Sequence, residues 1–311
     1  MTRTLAMFPG QGSQYVGMGK SLLEQFPGTA SVFEEAEDAI QVNLRKICFE
    51  GPDEDLRLTA NTQPCILTVS VAMWSVLQGE TGLSPFVYAG HSLGEYSALV
   101  AAGRLSLARA VTLVRRRGEA MQDAVPAGIG AMAAVMNMES HALDDLCKTI
   151  STPEHTVQCV NYNSPQQVVV AGHKTAVEAL CVELEGQGIR YVVLPVSAPF
   201  HSSLMTKARE AMEPLLTASE FTQNDTQMIP NFTGEVVQQY GAEMLVEQID
   251  HAVLWTKTMQ TATELECDTY VEVGPGKVLM GLARRCLPRT VKIIPTDDMT
   301  KAIGQLNEVV S

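Results

Sequence analysis

Phe86-Val87-Tyr88-Ala89-Gly90-His91-Ser92-Leu93-Gly94-Glu95 is the stretch on which the reading of this chain turns. A short apolar run gives way to a serine flanked by glycines. The segment Glu95 to Ala102 behind it, with its small residues Ser97, Ala98, Ala101 and Ala102, reads as a helix. Strand, tight turn and helix in that order make the setting of a nucleophile elbow. Glycines without a Cβ let the turn close, and the serine between them sits at a strained backbone angle with its hydroxyl exposed. The helix N-terminus beyond it offers N–H groups and a positive dipole end to an oxyanion. Ser92 is therefore the candidate nucleophile, set against the plainer reading of a surface serine in a turn.

Outward from the elbow, strand-like and helix-like pieces alternate. Thr4 to Phe8 reads as a strand; helices are expected near Tyr15 to Phe26, Ala30 to Ile40 and Pro64 to Gln78. This is α/β patterning. The loop Ala124 to Gly130 interrupts it, and a unit of different order begins: strand Ala131 to Met136, helix Ser140 to Ile150, strands Thr156 to Tyr162 and Gln167 to Ala171 across an Asn-Ser-Pro turn, helix Ala176 to Gln187, strand Arg190 to Val196. That β-α-β-β-α-β order is ferredoxin-like. The first pattern resumes with a helix at Leu204 to Leu216 and strands near Met228 to Phe232, Thr269 to Val273 and Val291 to Pro295, helices following the last two. The expected architecture is an α/β-hydrolase-like core with a parallel sheet, built from residues 1–124 and 198–311, with a ferredoxin-like subdomain inserted at 125–197.

With 311 residues, 46% hydrophobic, the chain can bury a large core. Its net charge of -13 argues against a nucleic-acid binder, which needs a dominant basic surface. No segment approaches a membrane span, and the start, Met1 to Gly10, reads as neither signal nor transit peptide, which predicts a cytoplasmic address. Seven cysteines without a Cys-x-x-Cys pair are expected to be reduced and mostly buried. Gly19-Lys20-Ser21 and Gly276-Lys277 fail as phosphate-binding loops, because the required upstream glycines are Gln14 and Val271.

A serine needs a base within hydrogen-bond reach. Among six histidines, His141, His155 and His173 fall in the inserted unit, His251 lies on a polar stretch, and His91 is better cast as a structural hydrogen-bonder. His201 stands in Val196-Ser197-Ala198-Pro199-Phe200-His201-Ser202-Ser203, a rigid loop from a strand end to a helix start; the nearby helix N-terminus would keep its ring neutral. On the helix Leu107 to Gln122 the apolar stripe is Leu107, Ala110, Val111, Val114, Gly118 and Met121. Of three consecutive arginines, Arg116 points opposite that stripe, Arg115 lies beyond its edge, and Arg117 alone can reach inward.

Phe8-Pro9-Gly10-Gln11-Gly12-Ser13-Gln14, Gly90 to Glu95, Asn161-Tyr162-Asn163-Ser164-Pro165, Ala198 to Ser202 and Val271-Glu272-Val273-Gly274-Pro275-Gly276-Lys277-Val278-Leu279 together resemble the malonyl-CoA:acyl-carrier-protein transacylase family, in the right order from Thr4 to about Ile294. The resemblance implies Ser92 as nucleophile and His201 as base in a dyad without an essential carboxylate. It implies an oxyanion hole from the backbone N–H groups of Gln11 and Leu93, and a backbone carbonyl of Gln248 that orients the histidine. It further implies Arg117 as the residue that grips the malonyl carboxylate, and Phe200 as favouring malonyl over branched groups. Here the segment after the glutamine reads Ile249-Asp250-His251-Ala252 and lacks the proline many members carry, which leaves Asp250 as an alternative third member.

The implied activity is malonyl transfer from malonyl-CoA to the phosphopantetheine thiol of an acidic acyl carrier protein in fatty acid synthesis, by a ping-pong cycle without metal or redox cofactor. A stand-alone malonyl acyltransferase of a polyketide synthase shares every residue named. A serine esterase or acyl-thioester hydrolase would carry a clear acid between nucleophile and base and no inward arginine, and a non-enzymatic carrier-docking domain has no use for Ser92, His201 and Arg117 together. Pro275 to Thr296 holds Lys277, Arg284, Arg285, Arg289 and Lys292 and no acidic residue. Some of these, with Arg115 or Arg116, are expected to dock the carrier protein or the coenzyme A phosphates, unless they are simply cations near a helix end.

Overall fold

The computed structural model describes residues 2–196 and 198–310. Its strands are β1 (Thr4–Phe8), β2 (Val87–Gly90), β3 (Gly130–Met136), β4 (Val157–Ser164), β5 (Gln167–His173), β6 (Tyr191–Val193), β7 (Gln227–Ile229), β8 (Thr269–Glu272) and β9 (Lys292–Pro295). Five form a parallel sheet in the order β7-β2-β1-β8-β9. Its middle strands, Thr-Leu-Ala-Met-Phe, Val-Tyr-Ala-Gly and Thr-Tyr-Val-Glu, are buried throughout, as a sheet covered by helices on both faces requires. Alternation along β1 divides the core: Ala6 and Phe8 pack with the helices of one face, Leu5 and Met7 with Trp255, Leu279 and Leu282 on the other.

The remaining four strands form an antiparallel sheet, β4-β5-β3-β6, with helices Ser140–Ile150 and Lys174–Gly186 on one side, which is the ferredoxin-like order. Ala133 and Val135 of β3 face those helices, among Leu143, Leu180 and Leu184. Met132 and Ala134, with Val160, Val169 and Ala171, pack on the opposite face against Leu194, Val196 and Phe200. Main-chain bonds from Tyr162 N to Val253 O (2.9 Å) and from Val253 N to Val160 O (2.8 Å) fasten this sheet to the larger part of the molecule. Ser197, at which the sequence reading ends the small subdomain, lies outside the described residues.

Some elements differ from expectation. The helix expected from Tyr15 is confined to Lys20–Gln25, because Gly12, Gly17 and Gly19 take left-handed φ angles of 106°, 102° and 82° and turn the chain instead. The helix expected from Pro64 starts earlier, at Thr59, and runs to Thr81 with the proline in its second turn, where Thr68 Oγ1 donates to the Pro64 carbonyl (2.8 Å). The sequence reading did not anticipate Leu44–Glu50, Asp53–Arg57, Ala242–Gln248 and Trp255–Glu264, which are helices. All seven cysteines are unpaired, six of them buried. No helix among the described residues is long and apolar enough to cross a membrane.

Candidate active site

The elbow is built as steric necessity dictates. A Cβ on Gly90 would stand 2.0 Å from the backbone of Gly94, and one on Gly94 would stand 2.0 Å from Phe8 O. Between them Ser92 takes φ +52°, a left-handed conformation rare for a serine, and the helix Gly94–Ala101 leaves directly from the turn. The strained turn is braced: Ser92 N–H donates to Asn231 Oδ1 (2.6 Å), while Asn231 Nδ2 donates to Gly90 O.

His201, also left-handed at φ +61° and 3% exposed, places its Nε2 2.7 Å from Ser92 Oγ. Its Nδ1 lies 2.9 Å from the main-chain oxygen of Gln248. A carbonyl only accepts, so the ring proton sits on Nδ1 and the Nε2 lone pair faces the serine hydroxyl, the tautomer a general base requires. Burial, followed by the Arg117 guanidinium, pushes the His201 imidazole down from 6.5 to about 3 and keeps it a free base. The sequence reading assigned this effect to a helix N-terminus; the structure assigns it to desolvation and to Arg117. Asp250 does not reach the ring, since its Oδ1 takes Arg209 Nη1 (3.2 Å) and lies 2.9 Å from His251 Nδ1. Glu247, Asp250 and His251 cluster closely enough to bracket a cation, but Arg209 already pairs with both acids.

Arg117 comes from helix Leu107–Asp123 and is 1% exposed. Nη1 donates to Gln63 Oε1 (2.9 Å); Nη2 donates to Gln248 Oε1 (2.9 Å) and to Ser92 Oγ (3.1 Å). Its Nε has no partner among the described residues. A buried guanidinium held only by neutral acceptors beside the nucleophile is a seat for an anion. Arg115 and Arg116 turn outward and pair with Glu119.

The groups open on a cavity of about 240 Å³ roofed by the antiparallel sheet. Gln11, Leu93, Ser92, His201 and Arg117 line its floor; Met132, Ala134, Val169 and Phe200 its apolar wall; Val278, Leu279 and Leu282 a third side. His91 Nε2 lies 2.8 Å from Asn163 Oδ1 and links elbow to roof. His141 is exposed against Asp145, and the rings of His155 and His173 meet edge to face, neither lining the cavity. Lys277 pairs with Asp297 (3.2 Å), while Arg284, Arg285, Arg289 and Lys292 are exposed around the helix Val278–Cys286, whose other face lines the cavity.

Sequence reasoning missed Asn231, Gln63, the side chain of Gln248, and Glu95. Glu95 lies in the quoted motif. The others come from distant segments with no local pattern, and only the fold brings them together.

An acyltransferase is the class of enzyme this elbow, dyad and anion seat define, and the chain belongs to the acyl transferase family, whose domain model matches residues 7–303. Its relatives narrow the class. A malonyl CoA-acyl carrier protein transacylase of Bacillus subtilis is 42% identical over 99% of this chain and 98% of its own length. FabD of Acinetobacter baumannii superposes with a TM-score of 0.95 at 42% identity, covering 99% of this chain and 98% of that one. A malonyl-transacylase solved in complex with a type II polyketide acyl-carrier protein superposes at 0.94, with 38% identity over 99% and 100% of the two chains.

Proposed function

We propose that this protein transfers the malonyl group of malonyl-CoA to the phosphopantetheine thiol of an acyl carrier protein, for fatty acid synthesis in the cytoplasm. The observation that carries the reading is Arg117 Nη2 at 3.1 Å from Ser92 Oγ in a buried site whose acceptors are neutral. A guanidinium so placed selects an acyl group that ends in a carboxylate, and a general esterase has no need of it.

In the proposed cycle His201 Nε2 takes the proton of Ser92 as Oγ attacks the thioester carbon. The carbonyl oxygen becomes an oxyanion facing the N–H groups of Gln11 and Leu93. Collapse breaks the C–S bond, the departing thiolate takes the proton from His201, and malonyl-O-serine remains. The carrier thiol enters, gives its proton to His201, attacks the ester carbon, and the serine oxygen leaves with that proton. Malonyl-CoA is the substrate, and no metal or redox cofactor has a part in these steps. Phe200, on the apolar wall, limits bulk beside the malonyl α-carbon. The division into a core of 1–124 and 198–311 and a subdomain of 125–197 belongs to the same reading: the core supplies the chemistry, and the subdomain closes the pocket.

Mass spectrometry of enzyme and carrier after incubation with malonyl-, methylmalonyl- and acetyl-CoA is the test. Malonyl is expected on the Ser92 peptide and then on the carrier, and on neither with Ser92→Ala. Malonylation of another peptide, or equal loading from all three donors, would reject the proposal.

A further inference from the structure

Glu95 is a fully buried carboxylate that takes no part in the cycle above. Three donors converge on it: Gln248 Nε2 (2.6 Å) and Asn231 N (3.1 Å) on Oε2, and the Tyr240 hydroxyl on Oε1. Burial pushes the carboxyl up from 4.5 to about 7, and the three donors oppose that shift by favouring the ionised form. Glu95 itself does not line the cavity.

Its bond to Gln248 determines which way that amide faces. Gln248 Nε2 donates to two acceptors, the Glu95 carboxylate and Ser92 O (3.0 Å), and Oε1 is thereby turned toward Arg117 Nη2 (2.9 Å). A guanidinium only donates, so the reversed amide would set N–H against N–H. The same residue's main-chain oxygen holds His201 Nδ1, so Gln248 meets the dyad through its backbone and the arginine through its side chain. Without Glu95, Ser92 O alone would anchor the NH2 group.

We propose that Glu95 is a positioning residue for acyl specificity: through the amide of Gln248 it fixes the guanidinium of Arg117 in the pose that accepts a carboxylated acyl group. The proposal rests on the malonyl reading of Arg117 above. The role predicts an effect on the choice between donors that exceeds the effect on rate.

The test compares malonyl-CoA and acetyl-CoA as donors, with kcat and KM separately, for Glu95→Ala, Glu95→Gln, Gln248→Met and Arg117→Ala. Glu95→Ala should lower the malonyl-to-acetyl ratio of kcat/KM by about tenfold or more, chiefly in the malonyl KM. Glu95→Gln can present its oxygen to Gln248 and Asn231 and its NH2 to the Tyr240 hydroxyl, and should bring the ratio back to within about threefold of the parent. Gln248→Met keeps the main-chain carbonyl on His201 and removes only the amide; its ratio should fall like that of Glu95→Ala, and it decides the matter if Glu95→Ala does not fold. An unchanged ratio in Glu95→Ala or Gln248→Met, equal losses on both donors, or failure of Glu95→Gln to restore the ratio would overturn the proposal. Arg117→Ala separates the two readings. If it too loses both donors equally, the malonyl reading of Arg117 fails; if it alone is donor-selective, only the role of Glu95 fails.

Discussion

Replacing Arg117 with alanine should split the enzyme's two donors apart. In the resting site the guanidinium is held by Gln63 Oε1, Gln248 Oε1 and Ser92 Oγ, and no carboxylate touches it among the described residues. Removing it leaves two amide oxygens to rebond with water in the enlarged cavity and removes a buried charge without an ion-pair partner, so the fold should survive. A malonyl carboxylate entering the variant would stay charged in a pocket 1% accessible at this residue, with its partner gone. Truncating one side of a buried hydrogen-bonded charge pair costs about 2 to 5 kcal/mol, which is about 30- to several-thousand-fold in malonyl transfer. Acetyl-CoA has no carboxylate to strand. The bond it would share, Nη2 to Ser92 Oγ, is long at 3.1 Å against 2.7 Å for the histidine, so acetyl transfer should fall little or rise. Steady-state rates with both donors are the assay. An equal loss on each would refute the reasoning and make Arg117 a structural or coenzyme A-binding residue.

His201→Ala should slow acylation by about 10² to 10⁴, the usual worth of a general base, whereas His251→Ala, whose ring binds Glu247 and Asp250, should stay near the parent; stopped-flow acylation with the reverse ranking would disprove the dyad. Because burial depresses His201 from 6.5 to about 3, acylation by acetyl-CoA should hold nearly level from about pH 8 to about pH 5, and a loss of rate centred on the ordinary histidine value would count against the buried neutral ring. The linkage runs the same way: below 6.5 the unfolded chain takes a proton at this position that the folded chain refuses, so this site favours unfolding as pH falls toward about 3, measurable as a falling Tm relative to His201→Ala. Arg284→Glu, on the exposed basic end of helix Val278–Cys286, should raise the KM for carrier protein and flatten its salt dependence, and a KM indifferent to both would remove this surface from carrier docking.

What was legible in the sequence was what is local. The elbow announces itself because its demands fall on adjacent residues, two glycines with no room for a Cβ and a serine between them. The small subdomain is legible because its strands alternate between a helix-covered face and a cavity face, and because Asn163-Ser164-Pro165 marks the hairpin. Pro64 misled, since a proline near a helix start is ordinarily its first residue, and here tertiary packing carries the helix a turn and a half further back. Asn231, Gln63 and the side chain of Gln248 left no trace, because each meets Ser92 or Arg117 across 54 to 156 residues of chain and a lone polar residue carries no period. Asp250 looked available because the proline that many family members carry after the glutamine is missing here; Arg209, far off in sequence, had claimed it.

The bond between His201 and a main-chain oxygen also bears on how long an acylated enzyme survives. An amide carbonyl lends the ring less negative potential than a carboxylate would, and the neighbouring guanidinium opposes its protonation, so the imidazole is a feeble base. Feebleness suits the second half of the cycle. A pantetheine thiol, with a pKa of about 8.5 by analogy with cysteine, asks far less of the base than water does at about 15.7, or than the Ser92 hydroxyl, whose attack relies on the Nε2 lone pair already aligned on it at 2.7 Å. The acyl ester is thus expected to pass to a thiol faster than to water, so the acidity of the incoming nucleophile favours transfer over hydrolysis.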